Sequence, residues 1–291
     1  MKKVLILTLA VMVLSVPAGA FEANYATGFE ANEVPPAYVL GPLVGQDGWA
    51  LPAGQAVSPN VVAAPSPVHT GEQAAEQGIG LSSANKDLRC MVGGWTYNDG
   101  FAKFWVYDPG DPTFQTDGRA GIHSSAGADS ISKMWTAQIQ TNNATLHWEA
   151  QWSWSPVMMD GVAGGPGAGY TFTPGLAAPR VMNAWSYVII SWAFTYNSPN
   201  DPNSGGSAVI QWRVNQTGIT PNLTLNYDSS SGRWGNAHDV AGIVIGSEYA
   251  CTTPTGYDDI EFHGNAVPEP SSLLALGTGL VGLVGFIRRR R

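Results

Sequence analysis

The chain has 291 residues, 44% of them hydrophobic and only 12% charged, with 35 Gly and 20 Pro. Eleven Trp, ten Tyr and nine Phe supply the bulky apolar volume of a real core and exclude global disorder, and the Gly and Pro content falls short of a collagen-like chain. A formal charge of −8 lacks the clustered basic footprint on which DNA or RNA binding depends, so no nucleic-acid partner is expected.

In chain order, residues 1–20 come first. They carry Lys2 and Lys3, an apolar run from Val4 to Val16, and the small residues Ala18-Gly19-Ala20. A basic start, an apolar segment below membrane-spanning length and a small-residue cleavage site predict a signal peptide that signal peptidase cuts after Ala20. Residues 1–20 together with Arg288 to Arg291 hold six of the 14 basic residues and none of the 22 acids. The exported remainder therefore sits near −14, strongly acidic.

Residues 21–267 form the body. Gly, Pro, Ser, Thr and Asn recur every few residues, and no amphipathic helical pattern lasts three turns. Strand signals take their place at Phe101 to Tyr107, Thr145 to Trp154, Trp185 to Tyr196, Ala208 to Val214, Val240 to Ile245 and Tyr257 to His263. Many strands parted by Gly, Pro and Asn turns predict an all-β, antiparallel β-sandwich of the jelly-roll kind. The stretch from Pro52 to Pro67 reads as one long surface loop.

Catalytic signals are poor. A glycosidase needs two carboxyl groups about 5–10 Å apart across the scissile bond. Thr145 to Trp154 holds one acid, Glu149, and the tight acidic cluster Asp258, Asp259 and Glu261 sits on the closing strand. The five histidines, His69, His123, His147, His238 and His263, have no zinc spacing and read as isolated surface or core residues. The chain carries no phosphate loop and no dinucleotide fingerprint. Cys90 and Cys251, the two cysteines, form an even pair in an exported chain. That favours a disulfide, with two separate buried thiols as the other reading. Trp148, Trp152 and Trp154 share one strand face, and with Trp105 and Tyr107 they make either a platform for sugar rings or the sandwich core.

Thr27-Gly28-Phe29-Glu30, followed by Gly48-Trp49, and the closing Tyr257-Asp258-Asp259-Ile260 resemble the first and last strands of concanavalin-A-like and carbohydrate-binding jelly rolls. Tyr170-Thr171-Phe172, Arg180 and Trp185 resemble the central strands of laminin-G-like modules. In such jelly rolls the first and last strands lie adjacent. The resemblance therefore implies that Glu30 and Asp259, with Asp258 as an alternate, hold a structural Ca²⁺ ion. The other reading is a pair of solvated acids that protect a sheet edge.

The chain closes on Pro268-Glu269-Pro270, a 17-residue apolar stretch from Ser271 to Ile287, and Arg288, Arg289, Arg290 and Arg291. Consecutive X-Pro units hold backbone extended for a processing enzyme to read. Seventeen residues span about 25 Å as a helix, the lower limit for crossing a bilayer. The arginine block is expected to stay cytoplasmic. The three parts in this order, over 268–291, resemble the PEP-CTERM sorting signal of exported bacterial proteins. That resemblance implies an exosortase-type membrane protease as partner, transient inner-membrane anchoring, and a final place at the cell surface or in the extracellular matrix. The expected function is non-enzymatic. A carbohydrate-binding module for exopolysaccharide is the alternative, and a secreted polysaccharide hydrolase or lyase is a third reading.

Overall fold

Strand formation follows a two-residue alternation. Along Asp99–Asp108, Ala102, Phe104, Val106 and Asp108 are buried, while Phe101, Lys103, Trp105 and Tyr107 keep some exposure. Along Ala184–Ser198, Ser186, Val188, Ile190, Trp192 and Phe194 are buried, and Trp185, Tyr187, Ile189 and Ser191 are not. Each strand therefore presents one face to a core and one outward.

The computed structural model describes residues 21–33, 37–51, 59–77, 88–92, 97–110, 118–123, 134–140, 153–159, 178–179, 181–198, 201–215, 217–218, 223–227, 240–247 and 254–266. Among these residues every regular element is a strand, and all ladders are antiparallel. In chain order the strands are β1 (Phe21–Thr27), β2 (Gly41–Pro42), β3 (Trp49–Ala50), β4 (Asn60–Ala63), β5 (Gln73–Gln77) and β6 (Leu88–Met91). There follow β7 (Asp99–Asp108), β8 (Gly118–His123), β9 (Met134–Gln140), β10 (Ser153–Met159), β11 (Ala178–Pro179) and β12 (Ala184–Ser198). The last are β13 (Asp201–Val214), β14 (Thr217–Gly218), β15 (Leu223–Tyr227), β16 (Gly242–Ser247) and β17 (Thr255–Ala266).

The first sheet runs β14-β13-β12-β7-β17-β5-β4-β2, with β1 also paired to β17 and β15 to β13; the second runs β11-β10-β9-β8-β16-β6-β3. Their facing sides make one core. Phe104, Val188, Ile190, Ile210, Trp212, Tyr257 and Phe262 come from the first sheet, and Leu88, Ala120, Ile122, Ile243 and Ile245 from the second. This is the antiparallel sandwich that the strand signals predict. Tyr257 fixes the two sheets by donating its hydroxyl to the carbonyl of Gly246 on β16 at 2.6 Å. Gly100 has a positive φ of 154°, and a Cβ there would lie 2.1 Å from the carbonyl oxygen of His263, so only glycine lets β7 and β17 approach this closely.

The first and last strands are neighbours. β1 pairs with β17 over its whole length, from Phe21 opposite Ala266 to Thr27 opposite Ile260. Ala23 and Tyr25 pack on the core from β1, and Glu22, Asn24 and Ala26 face outward.

Two expectations need correction. The Pro52 to Pro67 segment is not one continuous loop, because Asn60–Ala63 forms β4. Val61 there is buried, and the β-branched pair Val61-Val62 outweighs the prolines on either side of it. The Cys90–Cys251 bridge is not formed at its Cys90 end, where the thiol is free and buried on β6 and donates to the carbonyl of Asp47 at 3.4 Å. Burial pushes that thiol up to about 12. Cys251 lies outside the described residues, as do Thr145 to Trp152 of an expected strand.

Candidate functional site

The outward face of β12, β7 and β17 carries the densest chemistry among the described residues. Register sets Tyr187 and Asp258 on either side of Trp105, Ile189 and Glu261 on either side of Lys103, and Ser191 and His263 on either side of Phe101. Trp185 lies opposite Tyr107. Gly256 makes room for the Trp185 ring, since a Cβ there would stand 3.2 Å from its Cη2. The result is a run of rings: Trp105 and Tyr187 meet edge to face at 5.4 Å, and Tyr107 and Trp185 meet tilted at 5.5 Å. Farther along, Phe101 stacks on His263 at 4.6 Å. Trp105 and Tyr107 are thus outward-facing residues, not sandwich core. Trp148 and Trp152 lie outside the described residues, and Trp154 is placed only as a backbone position on β10.

A bulge in β17 brings acids to this face. Between Asp258 and Glu261 the register to β7 shifts, so that Asp259 and Ile260 together oppose Phe104. Asp259 takes a left-handed φ of 42°, and nearby Phe29 has one of 60°. Such conformations are costly for residues other than glycine and persist only where surrounding contacts enforce them. Here the enforcing contacts are visible. Asp258 accepts the backbone N–H of His69 at 2.9 Å and of Thr70 at 3.2 Å. Asp259 pairs with His69 Nδ1 at 2.6 Å and accepts the Thr70 hydroxyl at 2.8 Å. Regular strand alternation points neighbouring residues such as these two aspartates to opposite faces. The bulge turns both toward one loop.

The same loop is held at its other end by Glu30, whose Oε1 accepts the N–H of Glu72 at 2.9 Å and of Gln73 at 3.1 Å. Gly71 just before them has φ +70°, and a Cβ there would clash with Glu30 Oε1. Glu33 organises the turn beneath, accepting Gly28 N–H at 2.6 Å, Glu30 N–H at 3.1 Å and the Thr27 hydroxyl at 3.0 Å. Glu30 and Asp259 therefore converge on the His69–Gln73 segment through hydrogen bonds. Among the described residues no group of three or more His, Cys, Asp and Glu side chains is disposed to hold a metal.

His69, so anchored, lies flat on Trp105 with ring centroids 3.8 Å apart and 20° between planes, and edge-on to Trp185 at 5.4 Å. Beside it opens a pocket of about 500 Å³ lined by Thr27, Gly28, Glu33, Lys103, Trp105 and Asp259, among others. Lys103 crosses its rim to Glu261 at 2.8 Å. Burial raises the Asp258 carboxyl to about 7, an effect that the three backbone N–H donors around it oppose. Asp258 is fully buried, so its raised affinity for a proton serves the fold and reaches no ligand. An aromatic wall beside carboxylates and an ammonium group is suited to an uncharged polyhydroxylated ring. The apolar C–H face of such a ring stacks on indole, and its hydroxyls meet the charged rim.

His69, Thr70, Lys103 and Gly71 escape the sequence reading. The signal for Lys103 was present, because a lone cation between Phe101 and Trp105 marks the wet face of a strand that is apolar on both sides. For His69 no local pattern exists; its place depends on a bulge 190 residues away.

The sorting residues Pro268, Glu269 and Pro270 and the block Arg288 to Arg291 lie outside the described residues. The comparison with protein families covers them. Residues 266–291 match the PEP-CTERM protein-sorting motif. The motif supports an exported protein with a membrane-anchored sorting step. No curated protein sequence matches the chain. Solved structures similar to the chain include peanut lectin with a nonapeptide, at TM-score 0.47 and 9% identity over 86% of this chain and 100% of that one. Cellulose induced protein Cip1 is similar at TM-score 0.48 and 10% identity, over 82% of this chain and 96% of that one. A putative glycosyl hydrolase from Parabacteroides distasonis is similar at TM-score 0.41 and 13% identity, over 77% and 82% respectively. These are likenesses of fold.

Proposed function

We propose that the chain is an exported cell-surface or extracellular-matrix protein whose sandwich domain is non-enzymatic. In this reading residues 1–20 are a signal peptide. Ser271 to Ile287, stopped by Arg288 to Arg291, anchor the chain in the inner membrane until an exosortase-type protease cuts near Pro268-Glu269-Pro270. The sorting motif carries the reading, and its match begins on the last residue of β17. The acids of the described face are already engaged, which speaks against a catalytic pair. Asp258 is sealed in, Asp259 is held by His69 and Thr70, and Glu261 is held by Lys103. The test is replacement of Pro268, Glu269 and Pro270 by alanine. An uncut, membrane-retained protein is expected, and processing identical to wild type would remove the sorting claim.

A second reading is favoured by the outward rings of Trp105, Tyr107, Tyr187 and Trp185: the domain binds the cell's exopolysaccharide at this face. A panel of soluble glycans tests it, with Trp185→Ala, whose ring His69 meets only edge-on while lying flat on Trp105, expected to weaken any binding at least about tenfold, the scale of one stacked ring in a desolvated contact. Turnover of the same glycans would instead make the chain a hydrolase or lyase.

A further inference from the structure

The ring that lies on Trp105 comes from a loop that gives nothing to the core. None of residues 64–72 is buried, whereas Val61 before them and Ala74 and Ala75 after them are. The loop is tied down by polar contacts. The N–H groups of His69 and Thr70 rest on Asp258, the His69 ring and the Thr70 hydroxyl on Asp259, and the Glu72 N–H on Glu30. Gly71, at φ +70°, gives the segment a turn just ahead of β5. A segment held by solvent-facing hydrogen bonds, with no buried apolar anchor, opens without unfolding the rest of the domain.

What the loop covers is a stacking surface. His69 lies on Trp105 with ring centroids 3.8 Å apart and 20° between planes, the arrangement a sugar ring takes on an indole. Its Nδ1 edge reaches the Asp259 carboxylate at 2.6 Å, as a ring hydroxyl would. Trp185, which meets His69 only edge-on at 5.4 Å, does not have its ring face covered in this way. Tyr187 meets Trp105 at 5.4 Å, and Thr27, Lys103 and Asp259 line the pocket beside it.

We propose that residues 66–72 are a displaceable lid over a second stacking subsite. His69 holds the place of one uncharged sugar ring on Trp105, and a polysaccharide chain takes that place when the loop lifts. The proposal rests on the exopolysaccharide reading above and adds its regulation. Trp185 receives the first ring with the lid shut. Opening adds Trp105, and it frees the Asp259 carboxylate to accept a hydroxyl of the next ring. Loop and ring compete for one face, so a lid closed in about nine molecules of ten lowers the apparent affinity of this subsite about tenfold.

The test is calorimetric titration of cellohexaose, laminarihexaose, xylohexaose and mannohexaose into the protein as its host produces it. Wild type is compared with His69→Ala, which bares Trp105, and with Thr70→Ala, which loosens the latch and keeps the ring. His69→Ala is expected to bind the preferred hexasaccharide about tenfold more tightly than wild type, and Thr70→Ala to gain less in the same direction. Adding Trp105→Ala to His69→Ala should remove the gain. Hydrogen exchange without glycan supplies a second readout: the His69 and Thr70 amides should exchange at least about a hundredfold faster than those of β7. Binding by His69→Ala no tighter than wild type overturns the lid, and so does exchange at His69 and Thr70 as slow as on β7. A panel bound by neither wild type nor His69→Ala overturns the exopolysaccharide reading, and the lid as its regulator falls with it.

Discussion

The two ends of the β1–β17 pair are built in opposite ways. At the Thr27–Ile260 end, Glu30, Glu33, Asp258 and Asp259 tie two turns and a loop together with backbone N–H donors, a histidine and a threonine. Phe29 and Asp259 hold left-handed backbone inside that mesh. At the Phe21–Ala266 end, among the described residues, the ladder is joined by the exposed side-chain bonds of His263 to Asn24 and Asn265 to Asp99, the Asn98 N–H to the Asn265 carbonyl, and the stack of Phe101 on His263. The same two strands are fastened by a mesh of carboxylate hydrogen bonds at one end and chiefly by the ladder at the other. Their sequences alone are not the cause, since both ends are mostly polar or small; the difference lies in what packs across them.

The largest effect that would sharpen this contrast comes from Phe29→Ala. Phe29 is fully buried against Tyr38 and Trp49, and its loss should cost about 3–5 kcal/mol in denaturant unfolding, as for other buried aromatics. Asn265→Ala at the open end should cost under about 0.5 kcal/mol, and equal losses at the two positions would break the comparison. Next in size is Gly71→Ala, which meets the Glu30 carboxylate in a left-handed position and should cost about 2 kcal/mol. A melt of the variant close to wild type would show that the loop is not fastened there.

The pH dependence probes the fastened end without disturbing its packing. The Asp258 carboxyl is held at about 7 by burial, above its ordinary 3.8, so the folded chain binds this proton more tightly than the unfolded chain does. Its stabilising share is therefore complete below about pH 4 and is lost as pH rises through about 7. Asp258→Asn should flatten the stability profile across that window, and an unchanged slope would detach the effect from Asp258.

The smallest effect concerns calcium. The Glu30 and Asp259 carboxylates already have protein donors, so a chelator should move the melting temperature by less than about 1 °C. A larger drop that is reversed by added calcium would make a shared ion their function.

The strands β7, β12, β13, β16 and β17 were legible because aromatic and β-branched residues there are dense enough to outvote the turns. The adjacency of first and last strands was legible from the Phe29-Glu30 and Asp258-Asp259 resemblance. What could not be read was the bulge at Asp259. Two-residue periodicity places Asp258 and Asp259 on opposite faces, and only the ladder to Trp105 and Lys103 shows the extra residue. His69 was lost with it. The short strands β2, β3, β11 and β14 are two residues each, too brief for any periodic signal. For Trp105 the sequence left core and platform open, because both faces of β7 carry aromatics and only pairing decides which side meets the second sheet.

The central claim, an exported domain trimmed at both chain ends beside one strand terminus, is tested most directly by intact-mass measurement of the protein recovered outside the cell. The account predicts a chain that begins at Phe21 and ends near Pro268-Glu269-Pro270, with or without an attached group. A mature chain that still carries residues 1–20, or that retains Arg288 to Arg291, would contradict it.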